Sequence, residues 1–187
     1  MTKLSLTICS LFIIYSLNGC SIHISQLNPK GTLDNVEPKS KNIYICISKE
    51  IPDNFRVTTV RSVPMDVEDY HGSIRAGFSN TFGPFFKGVT FINEIPNNGT
   101  SILLTRADIK HVMTEFDNEG NPVAATCRVK YNAILYNDRQ EVSYSSGEVT
   151  SKEVSSDLND FPRIAENALA MMMEEIGIKF FGRKNKM

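Results

Sequence analysis

Between residues 123 and 135 the chain alternates apolar and polar side chains without a break. The odd positions are Val123, Ala125, Cys127, Val129, Tyr131, Ala133 and Leu135, whereas positions 126, 128, 130 and 132 are Thr, Arg, Lys and Asn. Because successive side chains of a strand point to opposite faces, this pattern predicts a strand with one buried face and one hydrated face. Such a strand is typical of an antiparallel sheet that is covered on one side only.

Other segments predict further strands of this sheet and two helices that cover one of its faces. A period of two, broken by turn residues, predicts further strands over residues 42–48, 89–92, 102–114 and 141–153, the last polar enough for a sheet edge. Apolar residues spaced by three and four predict two helices. The first follows Asp66 as N-cap and buries Val67, Tyr70, Ile74, Phe78 and Phe82. The second buries Phe161, Ile164, Ala165, Ala168, Leu169, Met172 and Ile176, with Gly177 as its C-terminal cap.

Two amphipathic helices need one sheet face on which to bury their apolar sides. The sequence therefore predicts an α+β fold, a two-layer sandwich in which both helices cover one face of a mostly antiparallel sheet. The sheet has about four to five strands, and the predicted order along the chain is β-α-β-β-β-β-α. With 187 residues, the chain is long enough for one such domain.

The first twenty residues have the pattern of a secretory signal that ends at a cysteine. Lys3 precedes an uncharged apolar run over residues 4–17, which at about 14 residues is shorter than the roughly 20 that span a bilayer. The following Leu17-Asn18-Gly19-Cys20 resembles the lipobox of bacterial lipoproteins. The resemblance implies that residues 1–19 are removed and that Cys20 carries the lipid. An ordinary secretory signal, with Cys20 as a plain thiol, is the alternative.

The lipobox also implies a place in the cell and a division of the chain. Ser21 follows the cysteine where a retained inner-membrane lipoprotein would often carry Asp, which implies the outer membrane of a Gram-negative cell with the domain in the periplasm. Residues 20–41 contain Pro, Gly, Asn and Ser without periodicity and predict a flexible tether. Residues 42–178 then form the single domain, and residues 179–187 form a basic tail.

The layout as a whole resembles a family of envelope lipoproteins. From Cys20 to about Phe181 it is similar to the lipopolysaccharide-assembly (LptE-like) and YajG-like lipoproteins, and Cys20-Ser-Ile-His-Ile is similar to the Cys-Gly-Phe-His-Leu opening of the former. Auxiliary lipoproteins of envelope lipid transporters of the ABC type share this layout. The resemblance implies an accessory role beside an outer-membrane barrel or an envelope transporter, without catalysis. A periplasmic binder of a small amphipathic ligand is the second hypothesis.

Composition and motifs exclude several other functions. Twenty Lys and Arg against 21 Asp and Glu leave no positive field for nucleic acid. The histidines, His23, His71 and His111, lack metal-ligand spacing, and no nucleotide-binding or serine-hydrolase motif occurs, so we expect neither enzyme activity, cofactor nor metal. A Cys127–His111 dyad is less favoured than a core pair, because no orienting carboxylate is recognisable. Cys46 and Cys127 are the cysteines left for a disulfide, but each lies in an apolar strand pattern, which favours buried free thiols.

One cluster of charges has a candidate binding role. If the hairpin centred near residues 118–120 pairs residues whose numbers sum to 238, Lys110 faces Arg128 and Asp108 faces Lys130, with Arg106 farther along. Like charges directly opposite are unfavourable. The cluster therefore either keeps the sheet soluble, which is the simpler interpretation, or binds an anionic group such as a lipid phosphate. The candidate residues for such a group are Arg106, Lys110, Arg128 and Lys130.

Overall fold

The computed structural model describes residues 22–34, 36–57, 65–154 and 160–182. Its elements are β1 (Ile22–Ile24), β2 (Lys39–Ile47), β3 (Phe55–Val57), β4 (Met65–Val67), α1 (Tyr70–Phe82), β5 (Phe86–Ile92), β6 (Thr100–Phe116), β7 (Pro122–Asn137), β8 (Gln140–Val154) and α2 (Phe161–Phe181). Apart from the three-residue strands β1, β3 and β4, the order is β-α-β-β-β-β-α. The predicted α+β class and element order are confirmed.

The main sheet has five strands in the order β5-β2-β6-β7-β8, and β8 lies at its edge as predicted. The β6-β7 and β7-β8 pairs are antiparallel, but β2 runs parallel to both of its neighbours. The prediction of a mostly antiparallel sheet is therefore wrong for β5-β2-β6. The physical reason is the connection through α1, which returns the chain to the starting end of β2 and so makes β5 parallel to it.

Both helices pack on the same face of this sheet and form the core with it. The apolar side of α1 is fully buried at Tyr70, Ile74, Phe78 and Phe82, as predicted. All the predicted apolar positions of α2 are buried with them. They meet sheet residues such as Ile43, Ile45, Ile102, Leu104 and Val129. Within the described part of the chain, no helix is long and apolar enough to cross a membrane.

Both helix ends differ from the prediction. The N-cap of α1 is Asp69, whose carboxylate accepts a hydrogen bond from the Gly72 N–H at 2.7 Å, whereas Asp66 lies in β4. Gly177 does not end α2, which continues to Phe181. A Cβ at Gly177 would lie 2.4 Å from Leu33 Cδ2, so this glycine permits a close contact inside the helix instead of a turn after it.

The residues predicted as a tether are instead largely packed on the domain. Leu27 and Leu33 are fully buried, and Val36 pairs with Gly182 after α2. The N–H groups of Asn28 and Thr32 donate to the carboxylates of Glu166 and Glu174 on α2, while Gly31 N–H donates to Thr81 on α1. The tether prediction is wrong for residues 24–34, called here the N-terminal segment. Its irregular composition hid apolar side chains that fill the space beside the two helices. Residues 1–21 and 183–187, including Cys20, lie outside the described residues.

This correction has a measurable consequence. We expect Leu33→Ala to lower the free energy of unfolding by about 2–5 kcal/mol, because it leaves a cavity between the N-terminal segment and Gly177. Lys30→Ala changes an exposed neighbour and is expected to shift stability by less than about 0.5 kcal/mol. Urea unfolding of both variants measures the difference. Equal midpoints would mean that the segment is a tether after all.

Candidate functional site

The predicted charge cluster lies on the sheet face opposite the helices, called here the open face. The strand register places Lys110 opposite Arg128, Asp108 opposite Lys130 and Arg106 opposite Asn132, in agreement with the predicted hairpin. β8 adds Glu148 opposite Lys130 and Thr150 opposite Arg128. The structure thus brings the four candidate basic residues together on the two neighbouring strands β6 and β7.

Carboxylates accompany most of these cations. Arg106 Nε donates to Asp108 Oδ2 at 2.5 Å. Glu148 lies between two cations, with its oxygens 3.4 Å from Lys130 Nζ and 3.8 Å from Arg128 Nη1. Lys110 has no carboxylate partner among the residues that the structure describes. These side chains are 36–59% exposed, so each pair contributes at most about 1 kcal/mol to stability.

A second, small sheet adds a basic residue that sequence analysis missed. This sheet has the order β1-β4-β3, and β3 contacts β6. Phe55 of β3 packs on the Tyr70 ring at a centroid distance of 5.3 Å. Since side chains alternate along a strand, Arg56 is directed away from the helix layer and reaches the cluster. Residues 49–65 have no clear periodicity, so the sequence carries no signal that would place Arg56 there.

Arg56 is held by a two-pronged ion pair with Asp66 of β4. Its Nε and Nη2 donate to the two carboxylate oxygens at 2.6 and 2.9 Å. These hydrogen bonds hold the pKa of Asp66 below its usual range, and they raise the pKa of Arg56. The pair therefore fixes a permanently charged guanidinium beside the open face.

Arg56 and three of the four predicted residues line one cavity of about 490 Å³. Its lining residues are Phe55, Arg56, Asp108, Ile109, Lys110, Arg128, Lys130 and Glu148. We call this cavity the basic cleft. Arg106 lies outside its lining and acts through its contact with Asp108. The cleft offers guanidinium and ammonium donors, which are suited to binding an anionic group.

The cysteine and histidine side chains considered for catalysis or metal binding lie, where the structure describes them, outside the basic cleft, in surroundings of their own. Cys127 is fully buried, and desolvation raises the pKa of its thiol to about 12, whereas nucleophilic thiols have lowered pKa values. The backbone of His111 pairs with Cys127, but its side chain lies outside the described atoms. His71 Nε2 is hydrogen-bonded to the Ile51 carbonyl at 2.7 Å. Cys46 and Cys127 are free thiols, and the described residues contain no group of three potential metal ligands.

The other half of the open face is apolar. Leu103, Ile134 and Tyr144 lie opposite one another on β6, β7 and β8, and we call them the apolar row. Tyr144 is 48% exposed, and the other two are half-buried. Residues 93–99 connect β5 to β6 across β2, and at Gly99 (φ +101°) a Cβ would lie 3.0 Å from the Tyr44 ring. This connection contacts β2 at Tyr44, and the apolar row lies on the strands beyond it, β6, β7 and β8.

Comparison with solved structures finds similarities at low sequence identity. Protein XCC0632 from Xanthomonas campestris has a TM-score of 0.54 and 11% identity, over 84% of this chain and 95% of that one. The rare lipoprotein B of Shewanella oneidensis has a TM-score of 0.45 and 8% identity, over 73% and 90%. An uncharacterized lipoprotein B from Nitrosomonas europaea has a TM-score of 0.43 and 10% identity, over 76% of this chain and 85% of that one.

The second and third of these structures are named as lipoproteins. The chain matches no family model and no curated protein. At 11% identity the likeness to XCC0632 shows a shared fold alone, and function has to be argued from the site.

Proposed function

We propose that this chain is a lipid-anchored lipoprotein of the bacterial envelope that acts, without catalysing a reaction, as an accessory subunit in outer-membrane assembly or lipid transport. Cys20 carries the lipid, the outer membrane holds it, and the domain faces the periplasm. The Leu17-Asn18-Gly19-Cys20 motif supports the anchor. The partner is a protein of an outer-membrane barrel or of an envelope transporter.

The observation that carries the docking role is the one-sided architecture. The helices cover one face of the main sheet, and the open face presents the apolar row, which ends at Tyr144 on the edge strand β8. Exposed aromatic side chains such as Tyr144 are frequent anchors of protein interfaces. An edge strand in addition offers backbone N–H and C=O groups that can pair with a strand of a partner.

Anchoring strengthens such a docking surface without adding a contact. A lipid on Cys20 confines the protein to the membrane that holds its partner, so that a weak interface is occupied at a high effective concentration. A modest apolar row is then sufficient for a specific interaction.

The alternative proposal, a binder of a small amphipathic ligand, needs a preformed cavity between helices and sheet. Phe78, Phe82 and Leu104 are fully buried in that space and fill it with side chains. The geometry therefore favours docking over ligand binding.

Photo-cross-linking in living cells tests the docking role. A photoreactive amino acid replaces Tyr144 in the full-length lipidated protein, and a control carries it at Met171, which is 38% exposed on α2. We expect a barrel or transporter subunit to be captured from position 144 and not from position 171. Cys20→Ala should reduce this capture at least tenfold, because it removes the anchor. Capture of the same abundant neighbours from both positions would contradict docking through the open face.

A further inference from the structure

The chain connects Cys20 to the small sheet that borders the basic cleft. β1 begins at Ile22, two residues after Cys20 in the sequence. A chain spans at most about 3.6 Å per residue, so Cys20 lies within about 11 Å of His23. His23 pairs with Asp66, and Asp66 pairs with Arg56. Two strand spacings add about 10 Å, which places Arg56 within roughly 21 Å of the lipidated residue.

The surroundings of the cleft carry a local positive charge in a slightly acidic chain. In the described part of the chain, the ion pairs and the cleft lining that include Arg56, Arg106, Lys110, Arg128 and Lys130 contain three carboxylates, those of Asp66, Asp108 and Glu148. Five against three leaves an excess of two positive charges, whereas the whole chain has a net charge of −1.

These cations keep the capacity to bind another anion. Glu148 is 3.4 and 3.8 Å from Lys130 and Arg128, longer than the usual 2.7–3.2 Å of an N–H···O bond. Their donors are therefore only loosely engaged. Lys110 adds an ammonium group without a carboxylate partner among the described residues.

We propose that the basic cleft docks on anionic phospholipid headgroups of the membrane in which Cys20 is anchored. This proposal rests on the proposed function, because it needs the lipid on Cys20. Attraction to an anionic surface fades within a Debye length of about 8 Å, so a cluster of this modest charge depends on an anchor that holds it close.

The contact orients the domain. Lys110 and Leu103 are seven residues apart on β6, or about 23 Å at 3.3 Å per residue. With the cleft at the headgroups, the apolar row lies at the far end of the open face, where a periplasmic partner can reach it.

Fluorescence quenching in liposomes tests this orientation. The full-length lipidated protein carries a fluorophore on Thr150→Cys, opposite Arg128, or on Asn97→Cys at the other end of the sheet. Cys46 and Cys127 are buried, so labelling is directed to the new thiol. The vesicles contain a nitroxide-headgroup lipid in phosphatidylcholine, with or without about 30 mol% phosphatidylglycerol.

We expect quenching at position 150 to increase at least threefold when phosphatidylglycerol is present, and quenching at position 97 to stay low. The combined variant Lys110→Glu, Arg128→Glu and Lys130→Glu should abolish the increase. Reversal of exposed cations elsewhere, Lys49→Glu with Arg75→Glu, should preserve it. Thermal unfolding of each variant confirms that the comparison is between folded proteins.

Three other outcomes of these experiments would overturn the proposal. Equal quenching in the two vesicle types, or an increase that survives reversal of the cleft, excludes headgroup docking. Tight binding of inorganic phosphate without dependence on phosphatidylglycerol makes the cleft a site for a free anion instead. The intact mass of the protein shows which of the two proposals fails. If Cys20 carries no lipid, both the anchor and headgroup docking are refuted. If Cys20 is lipidated but phosphatidylglycerol does not increase quenching at position 150, headgroup docking alone is refuted.

Discussion

Cys20→Ala is expected to move the protein from the membrane fraction to the soluble fraction. Cys20 is the proposed site of acylation, and each buried CH2 of an acyl chain contributes about 0.8 kcal/mol to membrane binding. Two or more chains provide stable anchoring, and alanine cannot accept them. Incorporation of labelled palmitate, the intact mass and cell fractionation measure the loss. We expect palmitate labelling to fall to background.

Cys9 provides the matched control, because it lies inside the apolar run that is removed in the proposed processing. Cys9→Ala should leave palmitate incorporation, mature mass and membrane association unchanged. Palmitate labelling that persists in Cys20→Ala would instead show that the lipid is attached elsewhere, and it would remove the basis of the anchored accessory role.

Phe82→Ala is expected to have the largest effect on stability and to lower the free energy of unfolding by about 3–5 kcal/mol. Phe82 is fully buried at the end of α1, and its ring centroid lies 5.3 Å from that of Phe78, 5.9 Å from Phe86 and 6.2 Å from Phe181. Alanine leaves a cavity where both helices and β5 meet, and the three surrounding rings lose their contacts with Phe82. The free energy of unfolding of a natural domain is about 5–15 kcal/mol in total, so the variant should be close to unfolding.

Urea unfolding of Phe82→Ala and of Phe116→Ala tests this expectation. Phe116 is 42% exposed at the end of β6, and its replacement should cost less than about 1 kcal/mol. A Phe82→Ala variant with the midpoint of the unchanged protein would show that the aromatic cluster does not stabilise the domain.

The elements that the sequence predicts well are those with a local signal. The alternation over residues 123–135 and the turn after Asp117 together predict which residues of β6 and β7 are paired, and Lys110 lies opposite Arg128 as a result. The stripe from Tyr70 to Phe82 repeats every turn of α1, so its buried side is visible without any knowledge of the partner. Three of the four candidate residues line one cleft for the same reason.

The features that were missed depend on residues far apart in the chain. Nothing near β2 shows that it lies between β5 and β6, because parallel neighbours are set by a crossover and not by a turn. Leu27 and Leu33 have no period of their own, since they fit beside helices that form much later in the sequence. Arg56 reaches the cleft through a three-residue strand, which is too short for a periodic signal.

The contact between Leu33 and Gly177 also bears on the order of folding. About 140 residues separate the two, so in the proposed export to the envelope the N-terminal segment leaves the membrane channel well before α2 does. During that interval the leucines of the N-terminal segment have no helix α2 to cover them. They are therefore exposed to chaperones and proteases until the last helix arrives, and any delay near the C terminus prolongs the vulnerability of the N terminus.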